Sequence, residues 1–303
     1  MAEIGRVLTA MVTPFTEDGE VDYPQARKLA KSLLASGSDG LVIGGTTGEA
    51  PSMSDEERLK LFAEVKNAIG DSGAVVAGTT DNNTYRSIEV SREAEAVGAD
   101  AILMTVPAYN KPTQGGLVKH FIAIAEAVSI PGILYNVPSR TALNMTAGTT
   151  LKLAEVPNIV GVKEASSDAD QIAYVIKGAP DGFNVWSGND NETFSIVSTG
   201  GYGVVSVASN IIGNQVKGLI GAVLEGDIER AAGEHLRLLP IFNALFFITN
   251  PIPVRYAMNR SGFNVGPPPP DASGRRRDGR VCSAVRSDHG SIPNRSPQRL
   301  MQS

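Results

Sequence analysis

Cysteine, histidine and long apolar runs are what this 303-residue chain has least of, and each shortage excludes something. The one cysteine, Cys282, rules out a disulfide framework and a multi-cysteine metal site. The three histidines, His120, His235 and His289, lie far apart, which argues against a histidine-based metal centre. No apolar run is long enough to cross a bilayer, so no membrane partner is expected. The opening MAEIGRVLTAMVTPF has no basic region followed by an apolar core. The expected location is cytoplasmic. Phosphate-loop signatures are lacking too: no G-x-G-x-x-G follows the first strand-like run. The glycine-rich run Gly44-Gly45-Thr46-Thr47-Gly48 lacks the lysine of such a loop. Basic charge is concentrated at one end. Residues 267–303 hold seven Arg, no Lys and three Asp, a balance of +4, so the other 266 carry −9 of the total −5. An acidic body argues against nucleic acid as the main partner.

What is present is an alternation. Strand-like apolar runs fall at 7–12, 40–43, 74–77, 101–105, 132–135, 159–163, 183–187 and 203–207, with helix-length amphipathic segments between them. Ser54 and Glu57 form a capping box, Leu59, Phe62, Ala63 and Ile69 share a helix face, and Gly70 is placed to stop that helix. A unit of helix-ending glycine, aspartate and strand occurs at Gly37–Asp39 and recurs at Gly98–Asp100. The two glycines are 61 positions apart, the length of two βα units. Eight such units admit an open doubly wound sheet or a closed barrel. The missing dinucleotide fingerprint favours the barrel. The expected fold class is α/β: a (β/α)8 barrel over 1–225, a helical region over 226–266, and an atypical tail over 267–303. Helices are expected at 227–247 and 253–260.

Within this frame Ile159-Val160-Gly161-Val162-Lys163-Glu164-Ala165 puts a lysine at the C-terminal end of an apolar strand. A buried ammonium is costly and tends to lose its proton, and a neutral lysine is a nucleophile toward carbonyl carbon. Barrel chemistry sits at the C-terminal strand ends. Those ends carry Thr46, Thr47, Tyr109, Tyr135, Arg140, Lys163, Gly188 and Ser206. Singly, each has a plain structural reading: a solvent-reaching lysine, a tight Gly-Thr-Thr-Gly turn, core or loop tyrosines, a solvated arginine. Their convergence on one rim is what a barrel without chemistry would rarely produce. The types suit imine chemistry on a 2-oxo acid. Lys163 supplies the amine, Thr46 and Thr47 a nest for the carboxylate, hydroxyls a proton relay, and Arg140 a fork for a second carboxylate.

The motifs Gly-Thr-Thr-Gly-Glu (45–49), Tyr-Asn-Lys-Pro (109–112), Tyr-Asn-Val-Pro-Ser-Arg-Thr (135–141), Gly-Val-Lys-Glu-Ala (161–165), Ser-Gly-Asn-Asp (187–190) and Asn-Pro-Ile-Pro-Val (250–254) resemble the dihydrodipicolinate synthases. These are pyruvate-using, lysine-dependent TIM barrels, and the likeness covers about residues 5–265. The resemblance implies condensation of pyruvate with L-aspartate-4-semialdehyde, and no cofactor beyond the covalent imine of pyruvate on Lys163. It implies a proton relay of Thr46, Tyr135 and Tyr109, with Tyr109 lent by a neighbouring subunit of a homo-oligomer, a dimer of dimers. It further implies pyruvate-carboxylate binding by Thr47, binding of the aldehyde substrate's carboxylate by Arg140, and backbone contacts near the imine from Gly188 and Val205. The competing readings are a sugar-acid lyase of the N-acetylneuraminate type and a non-catalytic acid-binding barrel.

Two departures stand out. Where lysine-inhibited members carry their polar and aromatic set, this chain has Asp55, Arg58, Arg86 and Ala108, with Asn82 kept, so little inhibition by L-lysine is expected. After Gly266 the family pattern of an apolar segment and two helices gives way to Pro-Pro-Pro-Pro-Asp-Ala-Ser-Gly-Arg-Arg-Arg. Such a composition cannot bury enough surface to order itself, and it reads as a reading-frame change rather than a nucleic-acid-binding tail.

Overall fold

The computed structural model describes residues 4–267. Eight parallel strands close in sequence order, β1 pairing with β2 and so on until β8 returns to β1. They are β1 (Val7–Ala10), β2 (Gly40–Ile43), β3 (Ala74–Gly78), β4 (Ala101–Thr105), β5 (Gly132–Asn136), β6 (Ile159–Glu164), β7 (Asn184–Ser187) and β8 (Gly203–Ser206). The helices are α1 (Tyr23–Ala35), α2 (Asp55–Ile69), α3 (Thr84–Ala96), α4 (Gln114–Ala125), α5 (Pro138–Thr141), α6 (Ala147–Leu153), α7 (Ala169–Gly178), α8 (Thr193–Ser198), α9 (Ser209–Leu224), α10 (Ile228–Ala244) and α11 (Ile252–Arg260). All eight expected strands occur, within a few residues of the expected ends. β1 stops at Ala10 rather than residue 12, although Met11 still donates to the Val42 carbonyl at 3.1 Å. The helices expected at 227–247 and 253–260 are α10 and α11. The expectation for the tail lies, apart from Pro267, outside the described residues. No helix among those described is long and apolar enough to cross a membrane.

The repeated glycine–aspartate unit has a physical purpose. Gly37 and Gly98 take φ of +104° and +92°, turning the chain out of a helix. The aspartate then reaches back to the bottom of an earlier strand. Asp39 accepts from the N–H groups of Arg6 and Val7 at 3.0 and 2.9 Å, and Asp100 accepts from Val75 at 2.8 Å. Donors at strand starts that would otherwise lack partners are thereby satisfied. Lys217 and Lys66 neutralise the two carboxylates at 2.7 and 2.9 Å.

The capping box on α2 forms in both directions, with Glu57 N–H donating to Ser54 Oγ at 3.2 Å and Ser54 N–H to Glu57 Oε2 at 2.8 Å. The buried face of this helix differs from the expected one. Arg58, Leu61, Phe62, Val65 and Ile69 are buried, while Leu59 and Ala63 are only half-buried. Polarity alone would place Arg58 outside. It turns inward because its guanidinium donates to the Gly78 carbonyl at the end of β3, 2.8 Å away.

Candidate active site

Period-two alternation along β5 and β6 sorts their last residues into two pairs. Tyr135 is in register with Lys163, and Asn136 with Glu164. The second pair faces the helices: Asn136 Nδ2 donates to Glu164 Oε1 at 3.0 Å, and Gln171 on α7 reaches the same carboxylate at 3.4 Å. The first pair faces the barrel interior, where Lys163 Nζ sits 4.0 Å from the Tyr135 ring centroid. Both side chains are buried. Burial pushes the Lys163 ammonium down to about 7, with Asp190 opposing and Arg140 assisting. Burial pushes the Tyr135 hydroxyl up to about 12, against the pull of Arg140 and of a hydrogen bond from Thr46. One cause, desolvation, therefore yields a free amine beside a phenol that keeps its proton.

The loop after β2 brings up the two threonines. Thr46 is half-buried against the Tyr135 hydroxyl, and buried Thr47 accepts from Asn250 Nδ2 at 2.9 Å through its Oγ1. Arg140, exposed at the rim on α5, donates from Nη2 to the Asn250 carbonyl at 3.3 Å. A cavity of about 580 Å³ opens here, its wall including Thr46, Thr80, Thr105, Ala108, Arg140 and Asn250. A cation at the mouth and hydroxyls along the wall suit a small substrate bearing a carboxylate. Among the described residues no three His, Cys, Asp or Glu side chains gather where they could hold a metal ion.

The remaining expected residues divide. Val205 is buried in β8, in register with Leu8. Gly188 follows β7, and its N–H is committed to the Glu164 carbonyl at 2.7 Å. Tyr109 is not brought to this cavity: it is 92% exposed, on a loop where its φ is +72°. Two residues carry more than residue-by-residue reading assigned them. Asp190 is buried beneath the rim and accepts from Ser206 Oγ and from the N–H groups of Val207 and Ala208 at 3.0 and 2.9 Å. Burial raises its carboxyl, these donors and the Lys163 charge oppose the rise, and it is the negative group nearest in effect to the amine. Asn250 bridges Thr47 and Arg140 from beyond the eighth unit. Ser206 and Asp190, each at a strand end, were the signal for the first. The second opens the Asn-Pro-Ile-Pro-Val motif (250–254), which marks the residue but not its partners.

The comparisons with known proteins point to one family. The model of the dihydrodipicolinate synthetase family matches residues 3–273. A 4-hydroxy-tetrahydrodipicolinate synthase of Symbiobacterium thermophilum is 55% identical over 268 residues, 88% of this chain and 91% of that protein. A dihydrodipicolinate synthase structure from Bacillus anthracis superposes with a TM-score of 0.89 at 36% identity, covering 97% of this chain and all of that one. One from Cyanidioschyzon merolae, solved with lysine bound, has a TM-score of 0.88 at 40% identity over 94% and 97% of the two chains. With a family match that spans the whole barrel and a relative more than half identical along most of both chains, the chain belongs to the dihydrodipicolinate synthetase family.

Proposed function

We propose that this enzyme condenses pyruvate with L-aspartate-4-semialdehyde to 4-hydroxy-tetrahydrodipicolinate through an imine on Lys163. The observation that carries the reading is the Lys163 amine, buried over the Tyr135 ring with its pKa pushed down to about 7. At neutral pH a large share of it is the free base that attacks a carbonyl. Pyruvate lies with its carboxylate in the Thr46–Thr47 turn and its ketone carbon at Nζ. The amine adds, the resulting hydroxyl leaves as water with a proton passed through Tyr135, and an imine remains. Loss of a methyl proton gives an enamine, whose carbon attacks the aldehyde of the second substrate. That substrate's own amine then attacks the imine carbon, closing the ring and releasing Lys163. Arg140 at the mouth receives the aldehyde substrate's carboxylate.

Thr46 holds the Tyr135 hydroxyl at the inner end of the proton path, and a tyrosine from a neighbouring subunit matching Tyr109 closes the outer end. This reading makes the working unit at least a dimer. It is supported by the exposure of Tyr109 in the single chain, where nothing of its own site uses it. Borohydride reduction in the presence of pyruvate tests the central step. One reduced pyruvate should appear on the peptide carrying Lys163, and undiminished labelling of Lys163→Ala would sink the assignment. A coupled assay with aspartate semialdehyde then tests the second substrate.

A further inference from the structure

Helix α11 stands outside the eight βα units, yet its Arg255 reaches the active-site loop. The Arg255 side chain is only 4% exposed. Its Nε and Nη2 both donate to Glu49 Oε1, at 3.0 and 2.6 Å. Nη2 also donates to the Thr13 carbonyl at 2.6 Å, and Nη1 to the Val265 carbonyl at 2.7 Å. A single guanidinium thus ties together the exit of β1, the loop after β2 and the chain beyond α11. The planar fork of arginine suits this, because it offers several donors in fixed directions.

Glu49 is the point of interest. It lies two residues after Thr47 and has φ of +56°, a left-handed conformation that a residue with a side chain adopts only when its surroundings over-determine it. Its N–H closes the turn on the Thr46 carbonyl at 3.1 Å. The intervening Gly48 carbonyl accepts from Thr13 Oγ1 at 2.6 Å, on the same stretch whose carbonyl Arg255 holds. A staple serving only to dock α11 could grip the rim anywhere. This one grips the residue whose backbone sets where the Thr46 and Thr47 hydroxyls and N–H groups point.

We propose that Arg255 is a positioning residue for pyruvate binding: through Glu49 it sets the Thr46–Thr47 turn that receives the carboxylate. The inference rests on the reading of that turn as the pyruvate-carboxylate nest. It makes α11 part of the catalytic apparatus, acting on substrate affinity without touching substrate.

The test is steady-state kinetics on the full chain, with competent sites counted by borohydride trapping at saturating pyruvate. Arg255→Met should lower kcat/KM for pyruvate by up to about 100-fold, the scale of a misplacement near 1 Å. The effect should fall in KM for pyruvate, with KM for the aldehyde within about threefold of the parent, since Arg140 is untouched. Arg255→Lys keeps the charge but not the fork and should fall between. Glu49→Asn guards against misfolding in the arginine variants: asparagine tolerates the left-handed backbone, is too short for Arg255, and leaves Arg255 its carbonyl partners. It too should raise KM for pyruvate. Lower melting temperatures and fewer titratable sites, with an unchanged pyruvate KM per competent site in Glu49→Asn and Arg255→Lys, would overturn the proposal. Thr47→Val separates the two readings. If it leaves pyruvate KM unchanged while Glu49→Asn raises it, the clamp stands and acts through Thr46 and the backbone, and only the Thr47 assignment falls.

Discussion

Lys163 costs the fold something that the chemistry needs. Folded, it favours the neutral amine, with a pKa near 7; unfolded, it is an ordinary lysine near 10.5. Between those values the unfolded chain binds more protons at this site, so stability rises with pH across the window. Below the folded pKa the penalty is present in full. Methionine has similar reach and no charge, so Lys163→Met should raise the melting temperature at pH 7 while abolishing imine formation. The gain should shrink as pH climbs toward 10.5. Calorimetry over that range checks it, and a gain that grew with pH would contradict the assignment. Tyr135 is under no such tension, since its raised pKa keeps it in the neutral form that burial prefers.

At the scale of elements, what places Lys163 is the fit of β6 against β7. A Cβ on Gly161 would lie 2.2 Å from the Asn184 carbonyl oxygen and 2.6 Å from the ring of Trp186. Only glycine lets the two strands approach this closely two residues before the lysine. Gly161→Ala should cost about 1–3 kcal/mol, the usual range for overpacking. It should also slow borohydride labelling, because β6 must shift and carry Lys163 with it. Denaturant melts and labelling rates measure the two effects, and lost stability with an unchanged labelling rate would separate strand fit from amine placement.

Helices α2 and α3, with the loop before α3, carry a second cluster at the edge of the same cavity. Arg86 pairs with Asp55 at 2.8 Å and approaches Asp81 at 3.5 Å, while Arg58 approaches Asp55 at 3.4 Å. Both carboxylates already have a cation, and Ala108 offers no aromatic face. An incoming lysine would have to break these pairs to seat its ammonium. Activity should therefore persist at millimolar L-lysine, and half-inhibition at sub-millimolar lysine in the coupled assay would show the pairs to be readily displaced.

On the scale of the whole molecule the question is where Tyr109 works. If it completes a neighbour's site, two inactive variants should rescue each other. Lys163→Ala supplies an intact Tyr109, and Tyr109→Phe supplies an intact lysine. Their mixed assembly contains one site with both groups. Co-refolding should restore up to half of the parental activity per mixed dimer, whereas a tyrosine acting only within its own chain gives no recovery. Elsewhere, Leu224, Ile228, Leu236, Phe246, Phe247 and Tyr256 leave apolar surface exposed along α9, α10 and α11 and the stretches beside them.

Much of this was legible in one dimension. The alternation of short apolar runs with helix-length segments determined eight βα units, and the missing dinucleotide fingerprint favoured a closed barrel over an open sheet. The position of Lys163, Tyr135, Thr46, Thr47 and Arg140 at strand ends followed from the same reading, since strands of a barrel all point their C-termini to one face. Tertiary structure alone decided which of them meet and in what state. Asn250 touches Thr47 across 203 positions of chain, and Arg255 touches Glu49 across 206, separations no local pattern reports. The inward turn of Arg58 answers to a carbonyl on β3 that its own helix does not contain. The depressed pKa of Lys163 likewise belongs to no residue or motif: it arises when the closed barrel strips water from the amine and seats Arg140 within reach of its charge, against the opposing pull of Asp190.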